Sequence, residues 1–298
     1  MSDIFSRFAP FIQDYIYRCK WEELREIQVL AAKAIFDTDE NLLLSSGTAS
    51  GKTEAAFLPV LTQLWENPSA SVGVLYLSPL KALINDQFER LEGLLEEAAI
   101  PVTKWHGDAS AAAKKRVMKR PQGVIQTTPE SLESMLMHNS SGAYRLFSDL
   151  RFIIIDEMHY FMDNDRGLQL LCLLERLARL IGYHPRRIGL SATLGDCTSA
   201  VQWLNTDSGR DCIVPKCHEK GRSLRLSVRF FPIKEKIPNS DSKVLLQNYY
   251  DYLFESTWNK RCILFSNSKG EVEENIAHLR RIAAERRLPD NYLVHHAN

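Results

Sequence analysis

Ser46 to Thr53 read S-G-T-A-S-G-K-T and follow directly on the apolar run Leu42, Leu43, Leu44. Small residues let a backbone bend tightly around an anion with its N–H groups turned inward. A helix starting near Lys52 offers the positive end of its dipole to the same anion. In such a loop Ser46, Gly47, Thr48, Ala49, Ser50 and Gly51 cradle phosphates, the Lys52 ammonium reaches the outer ones, and the Thr53 hydroxyl can ligate Mg²⁺. The usual phosphate-loop pattern opens with Gly where this chain has Ser46, and Ala49 stands where Gly is common. By itself the segment is therefore also compatible with a plain Gly/Ser turn between a strand and a helix.

A second segment supplies the complementary chemistry. Phe152-Ile153-Ile154-Ile155 is continuously apolar and ends in Asp156-Glu157-Met158-His159. Such a run reads as a parallel strand covered on both faces, and ligands of parallel sheets bind at the strands' carboxyl ends. Lys52 and Asp156 can therefore meet although 104 positions separate them. A carboxylate at Asp156 can hold Mg²⁺ against the phosphates, and one at Glu157 can orient and deprotonate an attacking water. The bland alternative for the acidic pair is a solvated loop or a helix cap.

The elements that must position these residues alternate regularly. Apolar runs predict strands at 42–45, 72–77, 101–105, 123–127, 151–155 and 186–190. Amphipathic patterns predict helices at 52–65, 80–98, 109–119, 129–137 and 166–181, preceded by a helix pair broken at Pro10 over 2–19 and a helix over 22–36. Alternating strand and helix predicts an α/β fold with a doubly wound, mainly parallel sheet. The pattern loosens at 206–223. A half-exposed strand is expected at 224–232, a linker at 234–242, a helix at 243–257, a strand at 262–265 and a helix at 270–287. Thr128-Pro129-Glu130 is a good helix start, and Ser78-Pro79-Leu80-Lys81 offers a similar turn with a cation; both can hold a backbone phosphate. The run Lys114-Lys115-Arg116 with Lys119-Arg120 can extend that track or form a solvated helix face.

On these residues the chain resembles the first motor domain of a superfamily 2 helicase of the DExH type. Gln28 matches the glutamine that reads adenine in that family; Ser78-Pro79-Leu80-Lys81 resembles motif Ia; Thr127-Thr128-Pro129-Glu130 resembles motif Ib; Ser191-Ala192-Thr193 resembles motif III. Trp105-His106-Gly107-Asp108, Arg166-Gly167 and Leu174-Glu175-Arg176-Leu177 look most like the large helicase-related (Lhr-type) group. The resemblance implies a RecA-like ATP-binding domain over 1–222, then a linker and an incomplete second RecA-like domain over 223–298, with motif IV around Ile263 to Ser268. It implies ATP and Mg²⁺ as ligands, with Lys52, Asp156 and Glu157 catalytic. It implies nucleic-acid contacts from Pro79, Lys81, Gly107, Thr128 and Pro129, expected on the face opposite the ATP edge. It implies coupling of phosphate state to strand movement through His159, Ser191 and Thr193. The partner would be DNA or RNA, single-stranded or with a single-stranded tail. No Q-x-x-G-R-x-G-R-like segment occurs in the 298 residues, so the chain reads as a motor awaiting the rest of its second domain, able to bind ATP but poor at hydrolysing it.

Composition narrows the setting. Hydrophobic residues make up 45% and charged residues 25%, which is normal for a globular protein. The 37 basic and 37 acidic residues balance, so any basic surface must be local. No apolar stretch approaches a membrane span, no basic-then-apolar leader opens the chain, and six scattered cysteines suit a reducing cytoplasm. Cys212, Cys217 and His218 lie close in sequence but fall short of the four ligands structural zinc wants. Three other readings share some of these features: a non-unwinding ATP-gated clamp or translocase, a small-molecule P-loop phosphotransferase, and a scaffold with a degenerate ATP site. The phosphotransferase has no need of Ser78-Pro79, Thr128-Pro129 and Ser191-Ala192-Thr193 in this order. Intact Lys52, Thr53, Asp156 and Glu157 argue against the scaffold.

Overall fold

Seven short, mostly apolar segments form the sheet: β1 (Asn41–Ser45), β2 (Val72–Leu77), β3 (Val102–Trp105), β4 (Gly123–Thr127), β5 (Phe152–Ile155), β6 (Arg186–Ser191) and β7 (Cys212–Ile213). The computed structural model describes residues 3–47, 50–85, 93–95, 98–192, 194–217, 226–231 and 241–294. The strand order is β3-β4-β2-β5-β6-β1-β7, and every pairing is parallel. All seven carboxyl ends therefore open on one edge.

Period-two alternation sends neighbouring side chains to opposite faces. Leu42, Leu44, Tyr76 and Ile154 join one core with α1 (Pro10–Arg18), α2 (Glu26–Asp37) and α3 (Lys52–Glu66). Leu43, Leu75, Leu77, Ile153 and Ile155 join the other. That second face is covered by α4 (Ala111–Lys119), α5 (Pro129–His138), α6 (Ser140–Phe147), α7 (Asp165–Ile181) and α8 (Thr198–Asn205). Burial on both faces explains why these strands read as continuous apolar runs.

Two adjacent arginines open β6 and point to the two faces. The Arg186 guanidinium donates to the carbonyls of Ala34 (3.0 Å), Ile35 (3.0 Å), Thr38 (2.7 Å) and Glu40 (2.5 Å), closing the carboxyl end of α2. Arg187 donates to the carbonyls of Leu204 (3.0 Å) and Thr206 (2.7 Å) at the end of α8. Both donate to carbonyls at the end of a helix, where the helix's own donors run out, and both bring positive charge to the negative dipole end. Burial pushes the Arg186 pKa down to about 10.

The chain divides into two compact units, Met1–Lys220 and Gly221–Asn298. In the second, α9 (Asp241–Thr257) packs on α10 (Lys269–Glu285) through Tyr250, Leu253 and Phe254 against Leu279, Ile282 and Ala283. The strand expected over 224–232 is not formed at its described residues 226–231, and 262–265 is not a strand either. Ile263 and Phe265 are 80% and 87% exposed. An apolar run becomes a strand only where a partner takes its backbone groups, and none of the described residues does so here. The sheet also contains an edge strand, β7, inside the stretch expected to be loose. Two short helices, α6 and α8, stand where none was expected. Cys212 lies on β7 and Cys217 packs on the first core; His218 falls outside the described residues. Among the described residues no group of three His, Cys, Asp or Glu could hold a metal ion, and no helix is long and apolar enough to cross a membrane.

Candidate functional site

The Ser46–Gly51 loop leaves the carboxyl end of β1, and Asp156-Glu157 leaves that of β5, with β6 between them. One strand's width therefore separates the two motifs on each side of β6, roughly 5 Å per step. The end of β1 is stitched to the turn after β6. Ser45 Oγ donates to the Ala192 carbonyl (3.2 Å) and accepts from Leu194 N–H (3.0 Å), and Ser46 N–H donates to the Ser191 carbonyl (3.4 Å).

Within the loop, Ser46 Oγ lies 2.6 Å from Ser50 Oγ, so the residue that replaces the usual glycine bridges the loop's two ends. Thr48 and Ala49 lie outside the described residues. Gly51 holds φ +86°, a region glycine enters without cost. A Cβ at Gly51 would sit 2.9 Å from Gln28 Nε2. Gln28 is buried at the start of α2, where its Oε1 accepts from Arg25 N–H (2.9 Å). The first turn of α2 is thereby packed on the last residue of the loop. Lys52 opens α3 and folds back, its Nζ donating to the carbonyls of Ser46 (2.6 Å) and Gly47 (2.9 Å). Burial lowers the Lys52 pKa, opposed by the nearby charges of Glu157 and Asp156. The two carboxylates therefore stand near enough to the loop's cation to favour its charged form. Thr53 is the second residue of α3.

Asp156 is 7% exposed. Tyr76 Oη donates to its Oδ2 across from β2, and Glu157 N–H donates to its Oδ1 (2.9 Å). Burial raises the Asp156 pKa, and the Glu157 charge adds to this, against the lowering effect of the Tyr76 bond. A buried carboxylate with free energy to gain from a cation is a fitting ligand for a divalent ion. Glu157 adopts the left-handed region (φ +45°), turning its side chain toward His159: Glu157 Oε2 is 3.3 Å from His159 Nδ1. The same Nδ1 lies 3.4 Å from Ser191 Oγ at the end of β6. The Asp-Glu turn and the Ser-Ala-Thr turn therefore meet through His159. Thr193 falls outside the described residues.

The second set of predicted residues gathers at the ends of β2, β3 and β4. These lie on the same carboxyl edge as the phosphate loop, displaced sideways, and not on an opposite face as expected. In an all-parallel sheet every strand delivers its following turn to one edge, so no second edge was open to them. Lys81 Nζ pairs with Asp108 Oδ2 (2.9 Å) and passes 3.6 Å from where a Gly107 Cβ would be. Lys114 Nζ donates to the His106 carbonyl (2.5 Å). Lys81 and Gly107 are exposed, whereas Pro79, Thr128 and Pro129 are buried, so those three offer backbone more than side chain. Thr128 Oγ1 is taken by Ser131 Oγ (3.3 Å). Sequence reasoning did not single out Tyr76, and it named Asp108 only within the Trp105–Asp108 resemblance, without a role. Tyr76 carries one signal, a phenol on an otherwise aliphatic strand whose hydroxyl must find a partner when buried.

The DEAD/DEAH box helicase family pattern matches residues 25–200. The chain is 31% identical over 289 residues to the ATP-dependent helicase Lhr-Core of Methanocaldococcus jannaschii, covering 91% of this chain and 33% of that protein. It is 32% identical over 262 residues to the Lhr helicase/probable uracil glycosylase of Mycolicibacterium smegmatis, covering 83% of this chain and 17% of that protein. Among solved structures, Mycobacterium smegmatis helicase Lhr bound to ssDNA and AMP-PNP superimposes with TM-score 0.72 at 28% identity, over 96% of this chain and 37% of that one. The helicase MrfA bound to DNA and AMPPNP shares the fold, with TM-score 0.74 at 23% identity, over 96% of this chain and 39% of that one. The chain spans about a third of the length of the Lhr-Core relatives it matches. With the phosphate loop and the Asp-Glu turn flanking one strand, and the family's pattern covering more than half of the 298 residues, the chain belongs to the DEAD/DEAH box helicase family.

Proposed function

We propose that this chain is the ATP-binding motor domain of a nucleic-acid helicase, coupling ATP hydrolysis to movement along or separation of strands. The observation that carries the reading is the convergence of the Lys52 loop and the buried, Tyr76-bonded Asp156 on either side of β6. Gln28, packed on Gly51, reads the adenine; Ser46 to Gly51 cradle the phosphates; Lys52 leaves the Ser46 and Gly47 carbonyls to pair with them. Thr53 and Asp156 hold Mg²⁺, which when bound neutralises phosphate charge. Glu157 orients the attacking water and takes its proton. His159 and Ser191 relay the state of that carboxylate to the end of β6, and Thr193, two positions on in the sequence, shares in that coupling.

The nucleic acid lies across the turns at Pro79, Lys81, Gly107, Thr128 and Pro129 as a single strand, held by its backbone and not read by sequence. Single-stranded DNA is the first partner to test, since a solved relative at 28% identity holds ssDNA. Residues 223–298 belong to the start of a second RecA-like domain, a reading that rests on the sequence resemblance of Ile263 to Ser268 to motif IV. Assayed alone, the 298 residues bind ATP and turn it over slowly, because the motif VI arginines are not among them. Six free cysteines fit a cytoplasmic setting. The test is ATP turnover with oligo(dT), oligo(U) or neither, beside strand separation. Stimulation by one polymer, or tight binding with slow turnover, supports the motor. Turnover that depends on a small-molecule phosphate acceptor instead would replace it with a phosphotransferase.

A further inference from the structure

Arg166 stands on neither motif, yet it touches both sides of the site. It is the second residue of α7, whose first turn is set directly on the backbone following Asp156-Glu157. Asn164 caps that helix by accepting from Gly167 N–H (3.0 Å) and donates to the carbonyls of Tyr160 and Met162 (2.9 Å each). A Cβ at Gly167 would overlap the Phe161 carbonyl oxygen, so only glycine lets the helix approach this closely. From there the Arg166 guanidinium reaches across to two other elements. Its Nη2 donates to the Pro79 carbonyl (2.7 Å) and its Nε to Glu130 Oε1 on the first turn of α5 (2.7 Å). Its Cζ lies 5.5 Å over the Phe161 ring.

These contacts close a ring. Asp156 leads through the Met158–Phe161 3-10 turn to Gly167 and Arg166. Arg166 leads to Pro79, and Pro79 leads two residues back into β2, where Leu77 accepts from Asp156 N–H (2.8 Å) and Tyr76 holds the Asp156 carboxylate. A branch of the same fork enters α5 at Glu130, next to Thr128 and Pro129. A planar guanidinium with donors on two edges can hold both turns at fixed spacing; a point cation cannot.

We propose that Arg166 is a positioning residue that makes nucleic-acid engagement at the Pro79 and Thr128 turns and nucleotide engagement at Asp156-Glu157 favour one another. The inference rests on the site assignment under Proposed function. It touches neither ligand, so its removal alters their coupling more than the binding of either alone. By linkage each ligand must change the other's affinity by one common factor, which for coupled sites is about 5- to 150-fold.

The experiment measures the affinity of the 298-residue chain for mant-ATP with Mg²⁺, with and without saturating oligo(dT), and for labelled oligo(dT) with and without AMP-PNP. In the wild type each ligand tightens the other at least about fivefold. In Arg166→Ala each ligand alone binds within about twofold of wild type and the coupling factor falls toward one. Arg166→Lys, which keeps charge and stem, retains an intermediate factor. Thermal melting checks the fold, and Glu130→Ala, which cuts only the α5 branch, gives a partial loss if Arg166→Ala does not fold. Full coupling in Arg166→Ala, or in both Arg166→Lys and Glu130→Ala, overturns the proposal. So does equal weakening of both ligands with their coupling unchanged, which is the mark of a merely structural side chain. Binding of both ligands by the wild type without coupling overturns it too. If the wild type binds neither ligand, the site assignment itself fails.

Discussion

Arg186→Ala tests how the far end of a helix serves the nucleotide site. The guanidinium is 5% exposed and donates to four carbonyls at the end of α2. The other end of α2 carries Gln28, packed on Gly51. Truncation leaves the Thr38 and Glu40 carbonyls without the donor they have here, while Ala34 keeps the Thr38 N–H and hydroxyl and Ile35 keeps Gln63 Nε2; an orphaned buried polar group costs about 1–3 kcal/mol. The summed cost of the two orphaned carbonyls is about 2–6 kcal/mol, to which loss of the buried side chain's packing adds and from which water at the near-surface Thr38–Glu40 turn subtracts. The expected net loss is about 3–5 kcal/mol, the range found when a buried charged network is broken. For a unit of this size that lowers the melting temperature by roughly 10 °C or more. Arg186→Met, which fills the space without donors, should lose nearly as much as alanine. Arg186→Lys should lose less, since an ammonium keeps the charge and some of the bonds. The assay is urea unfolding, with mant-ATP binding measured well below the transition, where affinity should still fall because α2 is no longer pinned. A loss under about 1 kcal/mol in Arg186→Ala, or a methionine variant as stable as wild type, would refute the reasoning.

Three further outcomes follow from the same geometry. Gly51→Ala forces an L-residue to φ +86° and sets a Cβ 2.9 Å from Gln28 Nε2; the strain alone is about 1–2 kcal/mol, and mant-ATP affinity should drop about tenfold or more. Tyr76→Phe removes one of the two donors to the buried Asp156 carboxylate and should destabilise the chain by about 1–3 kcal/mol; in an Asp156→Asn background the same change should cost much less, which a double-mutant cycle in urea reads directly. Burial acts to raise the Glu130 pKa, but the Arg166 bond, its own backbone and Thr128 together hold it below the ordinary 4.5. A depressed carboxyl contributes its stability fully above the ordinary value and loses it as pH falls through the folded one. The stability difference between wild type and Glu130→Gln should therefore be constant from neutral pH down to about 5 and shrink only in stronger acid. Its size is small, because the Glu130 side chain is half exposed.

The strands that carry chemistry were legible because each is a continuous apolar run ending in polar residues, and burial on both faces leaves no other reading of Phe152–Ile155 or Asn41–Ser45. The phosphate loop and the acidic pair were legible because their residue types are set by the ligand. Elements decided by distant contacts were not. Ser140-Ser141-Gly142 reads as a loop, yet Asn139 ends α5 and caps α6 at once, and Ala143, Leu146 and Phe147 reach the core. β7 is two residues long and exists through its pairing with β1. The apolar run at 262–265 shows the converse, a strand-like segment without a partner among the described residues. Tyr76 and Asp156 are 80 positions apart, as far out of reach of local pattern as the two bonds of Arg166. Which edge held the nucleic-acid turns was a matter of strand direction, and followed only once every pairing proved parallel.

The central claim is that ATP binds where the Lys52 loop faces Asp156. Equilibrium binding of mant-ATP with Mg²⁺ to wild type, Lys52→Ala and Asp156→Ala tests it most directly. The account predicts measurable affinity in the wild type, at least about tenfold weaker binding in Lys52→Ala, and loss of the Mg²⁺ dependence in Asp156→Ala with the fold intact by melting. Equal affinity in all three folded proteins would contradict it and move the nucleotide, if any is bound, elsewhere on the chain.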